Sequence, residues 1–406
     1  MARSLRYSIV VAFTLIFIIC CTAGSAWGFT YDNPAEAAFS NTRFELVLPY
    51  ISFGGHNNLF TVNDLDLDLE QPGVKADILA RLDENDFNTN FATELKAGLT
   101  IGRFALQVRP FASGSAQMDY GLPKLILLET DRTNADHNLV GSKLNALTGT
   151  SLDLTYGHPF TLSSNSHLGV GVTLRYVRGY SLVKAEVTRG TVVFNKEDLE
   201  KTELDVEYRS LHTEFPDKDP TSASQLIQSL FQNPSGTGFL ADLGVVYDHD
   251  RFRAGLALKN IGVIKWNNLR EDSYRCFGEI TEDGFDIDFE EQNKETRIPN
   301  YSLSLPLVLQ AQGSYRLLGN LYWHLGLEKG FADGWGISSK PCYQTGLEWR
   351  PRHLLRLAGN LSYQDGALGY DGLVELHLFC FWLNLHLGWV GEGDGVYAAA
   401  MTALHF

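Results

Sequence analysis

What this chain lacks narrows it first. Its one long apolar run, Ile9 to Ile19, lies at the amino terminus and is shorter than the roughly 20 residues a membrane-spanning helix needs. Nothing later approaches 18 consecutive apolar residues, so the rest of the chain carries no transmembrane helix. Positive charge is scarce, with 33 Lys and Arg against 48 Asp and Glu. This argues against a nucleic-acid partner, which wants a basic footprint. Cysteine is rare too, and Cys276, Cys342 and Cys380 are the three beyond the amino-terminal run. They make no disulfide framework, although a Cys276 to Cys342 bridge is open outside the cytoplasm. There is no CxxC pair, no glycine-rich phosphate loop and no pair of histidines at metal-ligand spacing. No cofactor and no metal are expected. Serine motifs are missing as well; His377 or His386 could serve a barrel-wall hydrolase only with a serine that no local pattern supplies, so an enzyme is not expected.

What is present begins with Arg3 and Arg6, the apolar run, and small residues from Ala23 to Gly28. These read as a secretory signal peptide over residues 1–28, cut after Ala26 or Gly28. Setting its two arginines aside leaves a net charge of about −17.

The stretch Gly236 to Trp266 organises the remainder. Phe239, Ala241, Leu243, Val245 and Tyr247 alternate with Leu240, Asp242, Gly244 and Val246, which is a strand period. After Asp248-His249-Asp250, the apolar set Phe252, Ala254, Leu256 and Leu258 alternates with Arg253, Gly255, Ala257 and Lys259. This predicts an antiparallel hairpin with one greasy face and one small or charged face, the greasy face ending in aromatics near Tyr247 and Trp266. Such a hairpin suits a wall with lipid outside and a lumen inside.

The pattern recurs from Arg43 to Phe53 through to Val396 to Phe406, giving 14 to 16 strands, with 14 the preferred count. Most are long enough to cross a band of about 25 Å at a barrel tilt. The expected fold is therefore all-β, a transmembrane antiparallel up-and-down β-barrel over residues 43–406. Only a closed barrel pairs every backbone group in lipid without helices. Leu321, Trp323, Leu325 and Leu327, then Phe381, Leu383, Leu385, Leu387 and Trp389, fall on the lipid face. Asp242, Arg253, Lys259, Tyr322, His324, Glu328, Trp382, Asn384 and His386 fall on the lumen face. Tyr301 to Leu317 reads as one strand, and Leu318-Gly319-Asn320 as a short turn.

Four longer connections break the rhythm: Leu59 to Asn90, Gly121 to Gly149, Pro216 to Ser235, and Glu271 to Arg297. The second suggests a short helix near Ser142 to Leu147. The third suggests another, with Ser222 as its cap and Leu226, Ile227, Leu230 and Phe231 on one face. The acidic sets Asp64 to Glu70 and Glu279 to Glu291 lack the glycine-punctuated spacing of a calcium loop, and read as solvated faces.

Asn33-Pro34-Ala35 follows the signal peptide, KNIGVIKW closes the central hairpin, and the chain ends on Phe406. Together these resemble the superfamily of long-chain fatty acid outer-membrane transporters and its PorV-like and conjugal-transfer TraF-like relatives. The resemblance implies a 14-strand barrel whose segment 29–42 folds inward as a hatch, with Asn33, Pro34 and Ala35 in it. It implies the outer membrane of a diderm bacterium, with membrane lipid and the barrel-assembly machinery as partners and Phe406 as the assembly signal. The function expected is passage or binding of small hydrophobic molecules. The alternative is a scaffold that docks a secretion or conjugation protein.

Overall fold

The computed structural model describes residues 33–40, 43–59, 73–82, 86–120, 136–194, 202–213, 234–281, 284–352, 354–364, 366–390 and 395–405, with Asp64 and Pro123. The expected signal peptide, most of the third long connection and Phe406 lie outside them.

Seventeen strands form: β1 Glu45–Asn57, β2 Phe87–Ile101, β3 Phe104–Met118, β4 Asp136–Asn138, β5 Lys143–Ser163, β6 Ser166–Phe194, β7 Thr202–His212, β8 Gly236–His249, β9 Phe252–Thr281, β10 Gly284–Leu303, β11 Val308–Leu318, β12 Leu321–Gly330, β13 Cys342–Arg352, β14 Leu355–Gln364, β15 Ala367–Leu378, β16 Phe381–Val390 and β17 Gly395–His405. Fourteen of them close a ring, each antiparallel to the next: β1, β2, β3, β5, β6, β8, β9, then β11 through β17, which returns to β1. Closure leaves no unpaired edge in the ring. The remaining three strands pair outside it. β7 bridges the far halves of β6 and β9, while β10 lies on β9 and β4 on β6.

The two faces separate by alternation. On β8, Phe239 is 71 % exposed and Leu243 50 %, whereas Leu240 is 4 %, Asp242 1 % and Val246 0 % exposed. The outer wall is thus apolar and the inner wall carries the charge. Outer aromatics gather at two heights. Phe104, Tyr156, Phe160 and Phe252 stand near the short turns, and Tyr176, Phe239, Tyr363, Tyr370 and Trp389 stand toward the long connections. Eight residues separate Phe239 from Tyr247, about 20 Å along the axis at a ~40° tilt.

Several sequence expectations are corrected. Ser142 to Leu147 is not helical; from Lys143 the chain is β5, paired on one side to β3 and on the other to β6. Two flanking strands outweigh a local helical spacing. The acidic stretch Glu271 to Arg297 is a hairpin of β9 and β10 rather than a loop. His167 to Val177 and Tyr180 to Phe194 are one strand, β6. Tyr301 to Leu317 is instead two strands, separated at residues 304–307 by Pro306, which has no N–H to give the ladder. The described helix, α1 Val74–Ala80, lies in the first long connection. There Ile78, Leu79 and Leu82 pack on Leu59 and Phe87, and Arg81 donates to both oxygens of Asp64 at 2.5 and 2.9 Å.

Trp266 is also moved. It was expected at the edge of the outer apolar face, yet it is fully buried on the inner side. The cause is a bulge in β9. Ala241 pairs with Ile261 but Leu243 with Leu258, so β9 holds one extra residue and its faces exchange. Asn260 takes φ +65° and Gly262 φ +148°, values suited to Asn and Gly. The Asp242 carboxylate accepts the Asn260 N–H at 2.9 Å, and the Asn260 amide donates to the Pro306 carbonyl at 3.1 Å.

Candidate functional site in the barrel lumen

Three layers stack inside the ring along β8 and β9. The lowest is the amino-terminal segment, where Pro34–Phe39 forms a 3-10 turn against β5, β6 and β8. Asn33 caps it, its Oδ1 accepting the Ala35 N–H at 3.0 Å. Pro34 occupies the first turn, where a missing N–H costs nothing. The Asn33 amide donates to the carbonyls of Val245 and Leu256, each at 3.2 Å, which ties the turn to the β8–β9 pair.

The segment lies this close because the wall beneath it has no side chains. Gly157, Gly171 and Gly244 are direct cross-strand partners on β5, β6 and β8. A Cβ at any of them, or at Gly169, would come within 3.0 Å of the 33–39 segment. Glu36 then reaches the wall charge. It pairs with Arg253 and accepts from the Gln312 amide at 3.0 Å, while the Arg253 guanidinium sits 4.8 Å from the Phe39 ring centre.

The middle layer is a self-neutralised belt. Arg109 meets Asp153 at 3.0 Å, Arg175 meets Asp153 at 3.8 Å and also pairs with Asp242, and Arg175 donates to Asn260 at 3.2 Å. Lys259 is 9 % exposed. Across the ring, Glu348 is held by His324 at 3.1 Å, by Arg356 at 2.7 Å and by Arg350. Arg356 and Asn384 both donate to Glu375, at 3.2 and 3.1 Å. Asp371 binds Asn360 and His386, each at 2.6 Å. The His386 ring meets Tyr397 edge-on, and Tyr397 shares a hydroxyl bond of 3.3 Å with Tyr50. Buried charges persist only when paired in this way.

The upper layer is apolar. Trp266 is centred among Leu147, Val177, Leu182, Leu240, Ile264, Leu269 and Leu303, with Phe111, Tyr301 and Trp335 packed against them. Its indole lies flush on Gly179 and Gly236, where a Cβ would overlap it. Trp335 comes from the connection between β12 and β13. That connection reaches across to β2, since a Cβ on Gly336 would sit 2.7 Å from the Phe91 carbonyl. The Trp266 Nε1 is buried with no hydrogen-bond partner among the described residues.

The residues singled out from the sequence fall into separate groups. Asn33, Pro34, Ala35 and Arg253 meet in the lowest layer; Asp242 and Lys259 stand in the belt beside β9's bulge. His324, Asn384 and His386 belong to the ladder across the ring. Tyr322 stacks under Arg350 at 4.6 Å, and half-buried Glu328 pairs across to Cys342. Trp382 stacks on His377 at 3.7 Å, and His377 bonds Glu375 at 2.5 Å. The histidine partners are thus carboxylates and rings. Cys276, Cys342 and Cys380 are free thiols, so the Cys276 to Cys342 bridge does not form. Glu36, Arg109, Asp153, Arg175 and Glu348 were missed; each sits in an apolar-alternating strand or directly after the Asn-Pro-Ala triplet, which was the available signal.

Solved structures of similar architecture include a TodX variant titled a monoaromatic hydrocarbon channel, 10 % identical over 95 % of each chain with a TM-score of 0.49. The Pseudomonas putida toluene transporter TodX is 11 % identical over 92 % of this chain and 93 % of its own, with a TM-score of 0.47. A Pseudomonas aeruginosa FadL homologue is 10 % identical over 92 % and 91 %, with a TM-score of 0.44. The 14-strand architecture itself stands on the ring of strand pairings, and nothing among the likenesses separates out a PorV-like or TraF-like branch. A search of curated protein sequences returns no match. Residues 34–369 match the model of DUF5723, described as a family of unknown function, and the chain belongs to that family.

Proposed function

We propose that this chain spans a bacterial outer membrane as a barrel and passes small, largely apolar molecules between two closures. The observation that carries the reading is the apolar cage around Trp266 at the long-connection end. It is a closely packed apolar layer that a hydrophobic solute crosses by displacing side chains, and the indole N–H, without a partner among the described residues, can orient it. A solute bringing one acceptor, or the face of an aromatic ring, gains what the indole N–H lacks. Below it the charged belt is neutral in itself, and the Asn33–Phe39 segment acts as the second closure. The apolar outer wall with its two aromatic levels supports the membrane setting. The docking alternative draws support from none of these features.

Liposomes holding the refolded barrel test this by uptake of toluene and of a long-chain fatty acid, alongside planar-bilayer conductance. Uptake of either is expected, rising when residues through Phe39 are deleted. A folded barrel silent in both forms would overturn the reading. Trp266→Phe keeps the bulk but removes the donor, and should weaken an acceptor-bearing solute about 5- to 10-fold, equivalent to ~1 kcal/mol.

A further inference from the structure

Five short turns between ring strands are described throughout, and four share a chemistry. Their tips are Gly102-Arg103, Ser164-Asn165, Asp250-Arg251 and Gly319-Asn320. The fifth, between β15 and β16, is Phe379-Cys380. Phe379 is 104 % exposed and holds φ +55°, a conformation bulky residues rarely adopt. Cys380 beside it is exposed.

The outer wall behind this tip is apolar. Val374 and Leu378 on β15 and Leu385 and Leu387 on β16 are all exposed on the outer wall. Leu354, on the adjoining turn, is exposed too, and its carbonyl accepts the His377 N–H at 2.9 Å. At the β8–β9 turn, by contrast, the wall stops at Tyr247 and Phe252 and gives way to His249, Asp250 and Arg251. β15 has 12 residues and β16 has 10, as short as β11 with 11 and β12 with 10, so the chemistry of the tip, Phe379-Cys380 against Gly319-Asn320, is what sets this hairpin apart. Ten residues at a ~40° tilt rise about 25 Å, the height of the apolar band itself. Little length remains to lift this tip clear of the bilayer.

We propose that the β15–β16 tip is a lipid anchor, with Phe379 and its apolar neighbours immersed in the acyl and ester region of the membrane rather than seated on a soluble partner. A docking knob would be ringed by polar residues, whereas this tip continues the lipid-facing wall. Behind it, the stack of His377 on Trp382 and the bond of His377 to Glu375 hold the hairpin upright from the inner side. The inference rests on the membrane reading above.

Cys380 is a native reporter for the test. Cys342 is buried, and the half-buried Cys276 thiol is pushed up to about 11, first by burial and then by Asp205. On a Cys20→Ala, Cys21→Ala background, a bimane maleimide at pH 7.5 therefore labels Cys380. The full chain is refolded into phosphatidylcholine vesicles with plain or brominated acyl chains, and iodide is added from the water side. Controls on a Cys380→Ser background carry the label at Leu385→Cys on the wall and at Asp250→Cys on a polar tip. Brominated lipid should quench the labels at 380 and 385 at least twofold and leave that at 250 unchanged, with iodide giving the reverse. A label at 385 that lipid does not quench would sink the membrane reading and the anchor with it. A quenched 385 beside a 380 label open to iodide would overturn the anchor alone. Phe379→Asn, which suits the left-handed φ, should fold in detergent as the parent does yet insert into vesicles several-fold more slowly; equal insertion would also overturn the proposal.

Discussion

Single residues decide how the amino-terminal segment is seated. Gly244→Ala places a methyl against the Asn33 side chain, and Gly171→Ala places one against the Pro34 backbone. Either should cost the seated segment about 1–3 kcal/mol while sparing the wall, and limited proteolysis after residue 40 should become faster. Unchanged cleavage would mean the segment is not held by that floor. Asp242 changes standing once its neighbours are known. As a lumen-lining carboxylate its neutralisation would be mild, but it is buried against Arg175 and caps the Asn260 N–H. Asp242→Asn is now expected to cost about 3 kcal/mol or more, because it leaves a buried guanidinium short of its partner. Urea midpoints of the refolded barrel check this. Alternation put Asp242, Arg253 and His386 on one face; it could not say that Arg253 meets Glu36, 217 residues away.

Among the elements, the β9 bulge has the widest effect. It turns Lys259 and Trp266, seven residues apart, both inward, although strict alternation would keep odd and even positions on opposite faces. Gly262→Val should fold poorly, since its Cβ would collide with the Phe239 carbonyl and its φ lies outside the range of a β-branched residue. Heat-modifiable mobility should show a large loss of the compact form, and a normal compact fraction would argue that the bulge is dispensable. KNIG in the sequence looked like family resemblance alone. In the structure it is a backbone requirement, with Asn and Gly at two positive-φ positions and Pro306 stopping the neighbouring strand opposite them. The misplaced helix near Ser142 has the same origin: strand partners far along the chain outweigh a local spacing.

At the scale of the whole molecule, the outer wall should reject charge that the inner wall accepts. Leu243→Arg puts a cation on the exposed apolar face and should cost roughly 2–4 kcal/mol at mid-membrane, read as loss of folded barrel in vesicles with little change in detergent. Equal losses in both would contradict a lipid-facing position. Thiol reactivity gives an independent check on the sheet outside the ring. With its thiol raised to about 11, Cys276 is protonated at neutral pH and should gain reactivity only as pH climbs toward that value. With Cys20 and Cys21 replaced by Ala, Cys380→Ser should therefore abolish most labelling at pH 7.5, and strong residual labelling of Cys276 would show that the β7–β9–β10 sheet opens in solution.

Period-two alternation, the lack of any long apolar run after the first 28 residues and the scarcity of positive charge were enough to specify a closed all-β wall with apolar and polar faces. These are local properties, because side-chain direction in a strand follows from position alone. The layers inside the wall were decided by tertiary structure. Which glycines face the amino-terminal segment, which arginine neutralises which carboxylate, and whether Trp266 meets lipid or lumen depend on strand register and one bulge. Register is fixed by partners up to several hundred residues apart, and a single inserted residue exchanges the faces of everything beyond it.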